Sequence, residues 1–301
     1  MKIPLLFTLF MTVIIFKIDG TFGCLNQLHS LVTGSNYSSF NQGSTILVAT
    51  GYPRSSAQKT EVINLKDNSK CQDVEDFPLE ISSAVGSYLG SFPVICGGWD
   101  WSLSLNQCHR LESGIWKPFA TLAQRRSGAV GIVHANIFII FGGYDNTRGG
   151  PWATLSTTEI VTEEGQVTPG PEMPAVVWTH AIARLNETTS ILTGGSTQTK
   201  SYSKLTWYFD HVSQEFRQGP SLITGRRLHA SATLQDHDTK EDIVAVVGGY
   251  YINGALDSIE LLRNGVWSPG KLSCKTNKMC LFSFFLCRCA SFFFLRCNHY
   301  F

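Results

Sequence analysis

Charge is scarce in this chain of 301 residues. Asp, Glu, Lys and Arg make up 16% of it, against 43% hydrophobic residues. That balance excludes a mostly disordered polymer, which needs little apolar material and much charge. Neither sign is in excess, since 24 Lys and Arg face 23 Asp and Glu for a net charge of +1. A nucleic-acid partner held by a concentrated basic face is therefore not expected. The G-x-S-x-G nucleophile elbow, the G-x-x-x-x-G-K-[ST] phosphate loop and the H-E-x-x-H zinc motif are all absent. No uninterrupted apolar run reaches the roughly 20 residues that span a bilayer, and no membrane partner is expected. What the chain does have is 27 glycines and 12% aromatic residues, a mixture suited to short strands and tight turns.

The two ends differ from the body. Lys2 precedes an apolar stretch over residues 3–16, with Gly20 and Gly23 after it. This reads as a secretory signal peptide over residues 1–23. Lipidation at Cys24 is a poor alternative, because Thr21-Phe22-Gly23 is a weak lipobox. Secretion implies an oxidising, extracellular setting, and the sequons at Asn36 and Asn186 fit glycosylation there. Five of the nine cysteines (Cys274, Cys280, Cys287, Cys289, Cys297) crowd into a Phe-rich tail over residues 273–301. Its apolar stretch over 279–295 is broken by Arg288, a costly charge for a membrane span. Cys287-Arg288-Cys289 has the wrong spacing for a zinc knuckle. The leading reading of the tail is read-through at a mispredicted gene end; a membrane-associated tail is the alternative.

The body, residues 24–272, is repetitive. An apolar run ending in a glycine pair appears as Val94-Ile95-Cys96-Gly97-Gly98, Phe138-Ile139-Ile140-Phe141-Gly142-Gly143, Ile191-Leu192-Thr193-Gly194-Gly195 and Val244-Ala245-Val246-Val247-Gly248-Gly249. A degenerate first copy ends Ala49-Thr50-Gly51. Trp116 and Trp267 each lie 18 residues after the second glycine, and Phe216, 21 residues after its own, fills the corresponding place in the fourth copy. A strand-like piece lies between glycine pair and aromatic, and another precedes each pair, as at His180-Ala181 and His229-Ala230. Four short strands in about 50 residues make one sheet that must stack on its neighbours, which predicts an all-β propeller.

The glycine pairs and the spaced tryptophans resemble the kelch-repeat β-propeller family over about residues 38–270. The resemblance implies four-stranded blades, with Trp116, Phe216 and Trp267 packing between them. Five blades are recognisable where six are common, so a sixth is expected to be missing, and residues 25–33 are a candidate for a donated closing strand. Cys96 and Cys108 fall on adjacent antiparallel strands, close enough for a disulfide; Cys24 with Cys71 is the leftover pairing.

No catalytic residue, metal site or cofactor is expected. His180 and His229 recur at equivalent repeat positions, which suits a structural role, and Arg126 and Arg227 near blade starts read as inter-blade hydrogen bonders. The secreted galactose-oxidase-like copper enzymes share the fold, but Tyr144, Tyr250, Tyr251, His180 and His229 match them by residue type alone. The favoured expectation is a secreted module binding an unknown protein or glycan through its loops. Candidate contacts are Trp99, Asp100 and Trp101 in one loop and Tyr144, Asp145, Arg148 and Trp152 in the next. A non-functional truncated product is the remaining alternative. If the tail is read-through, transcript sequencing across the codons for residues 270–301 will show a message that leaves this sequence after Gly270 and enters another apolar run with a glycine pair.

Overall fold

In the computed structural model, residues 14–18, 36–37, 45–51, 54–64, 70–71, 74–148, 154–199, 201–235, 241–252 and 254–270 are described. They form β-structure almost throughout, with two three-residue 3-10 turns. Four sheets of four strands and one of five follow one another along the chain, beside one two-stranded ribbon. Within each sheet the strands run antiparallel in sequence order and are called A to D here.

Sheet one is Ile14–Ile18, Thr45–Ala49, Thr60–Asn64 and Lys70–Cys71. Sheet two is Val85–Leu89, Phe92–Cys96, Gln107–Glu112 and Ile115–Thr121. Sheet three is Val130–His134, Ile137–Phe141, Thr158–Thr162 and Val167–Pro169. Sheet four is Ala181–Arg184, Thr189–Thr193, Thr206–Asp210 and Phe216–Gln218. Sheet five is Ala230–Gln235, Asp242–Val247, Ile259–Arg263 and Val266–Gly270. Asn36–Tyr37 adds to it as a fifth strand, parallel to its strand A.

Each apolar run of the repeat is a B strand. These runs are apolar at consecutive positions because both faces are covered. Phe138, Ile139, Ile140 and Phe141 are all fully buried, two toward sheet two and two toward sheet four. Four such cores separate the five sheets. Trp116 closes the first, donating from Nε1 to Thr60 Oγ1 at 3.1 Å and meeting Phe77 edge-on. Trp267 closes the last, donating to the Pro220 carbonyl at 2.8 Å, and Phe216 packs on Phe141 and Phe209 between sheets three and four. Cys96 and Cys108 pair across strands B and C of sheet two as a disulfide, Cα atoms 4.0 Å apart. The described residues do not close into a ring. The tail and residues 25–33 lie outside them, as does Cys24.

One strand was not expected. Ile14–Ile18, inside the segment read as a signal peptide, takes the A position of sheet one against Thr45–Ala49. An apolar β-branched run satisfies an open B-strand edge for the same reason that it makes a leader sequence: it is short and nearly uncharged.

The glycine pairs join neighbouring sheets. The second glycine donates its N–H to the loop before the next sheet: Gly51 to Ile81, Gly98 to Arg126, Gly143 to Val177 and Gly195 to Arg226, at 2.8–3.0 Å. Gly142 has φ +59°, and a Cβ there would meet the Val177 carbonyl oxygen at 2.5 Å. Two residues beyond each of those loop acceptors, the loops also bond to one another. Gly128 N–H donates to Ser83 O, Thr179 N–H to Gly128 O and Leu228 N–H to Thr179 O, at 2.8–2.9 Å. All four residues hold positive φ, from 53° to 61°, although three carry side chains that disfavour it. Gly142→Ala is expected to destabilise the fold by about 2 kcal/mol or more through left-handed strain and the backbone clash, read as a lowered urea midpoint.

Candidate functional site: the loop face

The B–C loops and the D–A loops emerge at the same end of the sheets, where the residue after each glycine pair bridges to the loop before strand A. The bridged pairs are Ser82 with Trp99, Ser127 with Tyr144, Trp178 with Ser196 and Arg227 with Tyr250. Three of the four pair an aromatic with serine, and the aromatic changes sides at sheet four. The result is a row of rings, half-buried except for the exposed Tyr251: Trp99 and Trp101 with centroids 5.1 Å apart, Tyr144 and Trp178 at 5.3 Å, and Tyr202 and Tyr251 at 5.3 Å. The Arg227 guanidinium lies 5.3 Å over Tyr202. Leu103 is 41% exposed and Ile252 70% exposed at the tips.

The loops are held rigidly. Asp100 Oδ1 accepts from the N–H groups of Ser102 and Leu103 at 2.9 and 2.7 Å, a turn that supports Trp101 at φ +74°. Asp145 does the same for Thr147, at 3.0 Å. Asn146 then ties the two loops, accepting from Ser104 N–H at 2.6 Å and donating to Ser102 O at 2.8 Å. The structure thus brings Trp99, Asp100, Trp101, Tyr144 and Asp145 together on one face. The two aspartates serve as loop anchors; Asp145 is 3% exposed. Arg148 lies in the 3-10 turn Asn146–Arg148, and Trp152 lies outside the described residues. Trp178 and Tyr202 were not singled out from sequence, and Tyr250 and Tyr251, which pair with Gly254–Ala255 in a ribbon, were named there only by residue type and not as loop-face contacts. Trp178 sits in the place of Ser82 and Ser127, so its signal was the swap with Ser196. Asn186 is exposed in a hairpin turn, accepting from Thr188 and Thr189 N–H at 3.0 and 2.8 Å, whereas the backbone of Asn36 lies in sheet five.

Beneath the face, the loops are anchored by alternating chemistry. Arg126 donates from Nη1 to Gly142 O at 2.7 Å and Thr157 O at 3.2 Å, and from Nη2 to Glu159 Oε1 at 2.5 Å. Glu159 in turn accepts from Ala123 and Gln124 N–H at 2.6 and 3.2 Å. Arg226 repeats the set on Gly248 O, Ser258 O and Glu260 at 2.7, 3.3 and 2.6 Å, with Glu260 accepting from Ile223 and Thr224 N–H. Sequence reading paired Arg126 with Arg227; the register places Arg226 there and puts Arg227 on the face. Before sheets two and four the same positions carry Pro78, Ile81 and His109, and Pro174, Val177 and Trp207. Proline removes one of the two N–H groups that the carboxylate accepts, and without the carboxylate a buried arginine would stand alone.

Burial pushes the Arg126 guanidinium below its usual range, with Glu159 opposing. His180 is driven down to about 3 by burial alone. His229 falls well below its usual value through burial, then Arg226 and His180, and its Nε2 shares a 2.9 Å hydrogen bond with Thr193 Oγ1. Among the described residues no three His, Cys, Asp or Glu side chains gather at one point as metal ligands would.

No protein-family model matches this chain, and no curated protein matches it. Among solved structures it is similar to one titled "Structure of YjhT", at 14% identity over 80% of this chain and 84% of that one, with a TM-score of 0.62. At that identity the likeness shows the fold, a β-propeller-like succession of four-stranded sheets. The buried ion pairs and histidines generate two predictions. Arg126→Met is expected to cost about 3–5 kcal/mol by stranding Glu159, and Arg126→Met with Glu159→Gln measurably less, as read by urea unfolding. Four buried histidines, His109, His180, His211 and His229, have their pKa lowered by burial, so each favours the neutral ring when folded and protonates more readily when unfolded. The contribution of His180 is therefore complete above pH 6.5 and lost as pH falls toward about 3, by about 1.4 kcal/mol per pH unit, and His229 acts in the same direction. Unfolding at pH 7, 6 and 5 should show this slope, reduced in His180→Gln.

Proposed function

We propose that this protein is a secreted, kelch-like binding module without catalytic activity, taking a protein or glycan partner on its loop face. The observation that carries the reading is the row of paired aromatic rings, half-buried except for Tyr251 and braced by cross-loop hydrogen bonds. Rigid aromatics give large contact area at small entropic cost and are the commonest anchors of recognition surfaces. Their apolar planes with polar rims suit either a protein surface or the faces of sugar rings. The disulfide supports an extracellular setting, as does the exposed sequon at Asn186.

Trp99→Ala and Trp101→Ala remove rings from the surface without touching the four cores. Each is expected to leave the thermal midpoint within a few degrees of the parent and to lower partner capture at least tenfold. Captures from the surrounding extracellular fluid, run side by side with the parent, give the comparison. Unfolding of both variants would assign the rings to packing and remove the reading.

A further inference from the structure

The structure assigns a guanidinium-binding pocket to sheet four, in the place that an arginine of this chain fills in sheets three and five. Sheet four has the same backbone there. Gly194 and Leu205 stand where Gly142 and Thr157 stand in sheet three and Gly248 and Ser258 in sheet five, since Gly194 N–H donates to Leu205 O as Gly142 N–H donates to Thr157 O and Gly248 N–H to Ser258 O. In those two sheets the paired carbonyls receive an arginine Nη1. In sheet four the reaching residue is Val177, too short to arrive.

A small, largely apolar cleft remains instead, lined by Val177, His180, Gly194, Leu205 and Trp207 among others. The loop carrying Pro174 and the loop carrying Thr197 and Ser203 both contribute to its walls. Two features make it a site for a cation and not merely a packing fault. Trp207 occupies the position of Glu159 and Glu260 and is half-buried, so an indole π-face replaces the carboxylate. His180 lines the cleft, is 1% exposed, and neither ring nitrogen has a protein partner. Held neutral, its ring offers one acceptor nitrogen. A flat guanidinium matches this set of two carbonyls, an indole and an imidazole acceptor, and its alkyl stem would lie along Val177. An ammonium, rounder and more strongly hydrated, fits it less well. The shared chemistry is an alkylguanidinium, carried either by a free small molecule or by an arginine side chain of a partner.

Ligand-observed NMR with methylguanidinium tests the assignment on the folded protein. Saturable binding with a dissociation constant of about 1 mM is expected for so small a cation, and methylammonium is expected to bind at least tenfold more weakly. Val177→Arg fills the site with the chain's own guanidinium and should abolish the binding. Pro174→Ala with Val177→Arg and Trp207→Glu copies the anchor of sheet three, and serves if the single variant fails to fold. N-acetyl-arginine amide binding tenfold tighter than methylguanidinium would identify a partner's side chain as the source, and equal binding a free small guanidine. No saturable binding, or binding that survives in the folded triple variant, overturns the assignment. Neither result bears on capture through Trp99 and Trp101, which lie on other loops.

Discussion

A single backbone hydrogen bond sets the spacing of this molecule: the N–H of the second glycine donating into the loop that leads to the next sheet. It brings the end of one B strand against the start of the following sheet at a separation where a Cβ would collide. Everything else at that end of the sheets is arranged around the closeness it imposes. The apolar B strands can bury both faces only because the neighbouring sheet arrives at that distance, and the four cores between sheets follow from it. The loops are drawn together on one face by the same contact, which is why side chains far apart in sequence, such as Ser104 and Asn146, can bond across it.

Closeness creates a second problem, which is how to satisfy the loop backbone it buries. The chain solves it twice with an arginine, a glutamate and two free N–H groups, and twice with a proline, an aliphatic residue and an aromatic or imidazole ring. The members of each set depend on one another. A proline removes one of the carboxylate's two donors, a missing carboxylate would leave a buried arginine unpaired, and a missing arginine leaves space. In sheet two the Phe77, His109 and Trp116 rings pack together beside Ile81 and occupy that space. In sheet four it stays partly open.

The fold was legible because its signals are repeated and local. A glycine pair after an apolar run can be recognised at each occurrence, and tryptophans at a constant distance fix the register. The disulfide was legible for the same reason, since opposing strands place Cys96 beside Cys108. The anchors were less so. Leu122-Ala123-x-x-Arg126 and Leu222-Ile223-x-x-Arg226 alternate with Phe77-Pro78-x-x-Ile81 and Met173-Pro174-x-x-Val177, but the alternation acquires meaning only when the C-strand residue facing each set is known. Placing the arginines only by their nearness to blade starts selected Arg227 in place of Arg226, and that one-residue error exchanges a fully buried anchor for a half-buried cation on the face. The strand over Ile14–Ile18 was hidden by ambiguity of composition: nothing in a short apolar β-branched run distinguishes a leader from an edge partner.

The chain of loop-to-loop bonds through Ser83, Gly128, Thr179 and Leu228 has a direction, because every N–H points back to the sheet before it. An arc built this way has unlike ends. One closes on the other only after enough sheets to bring donor and acceptor round to meet, and until then each end is shaped to receive a further unit of the same kind. The number of sheets is thus set by the angle between neighbours and not by any residue that marks a first or a last. Growth by duplication, loss of a unit, or completion by a separate chain would each leave the internal joints untouched.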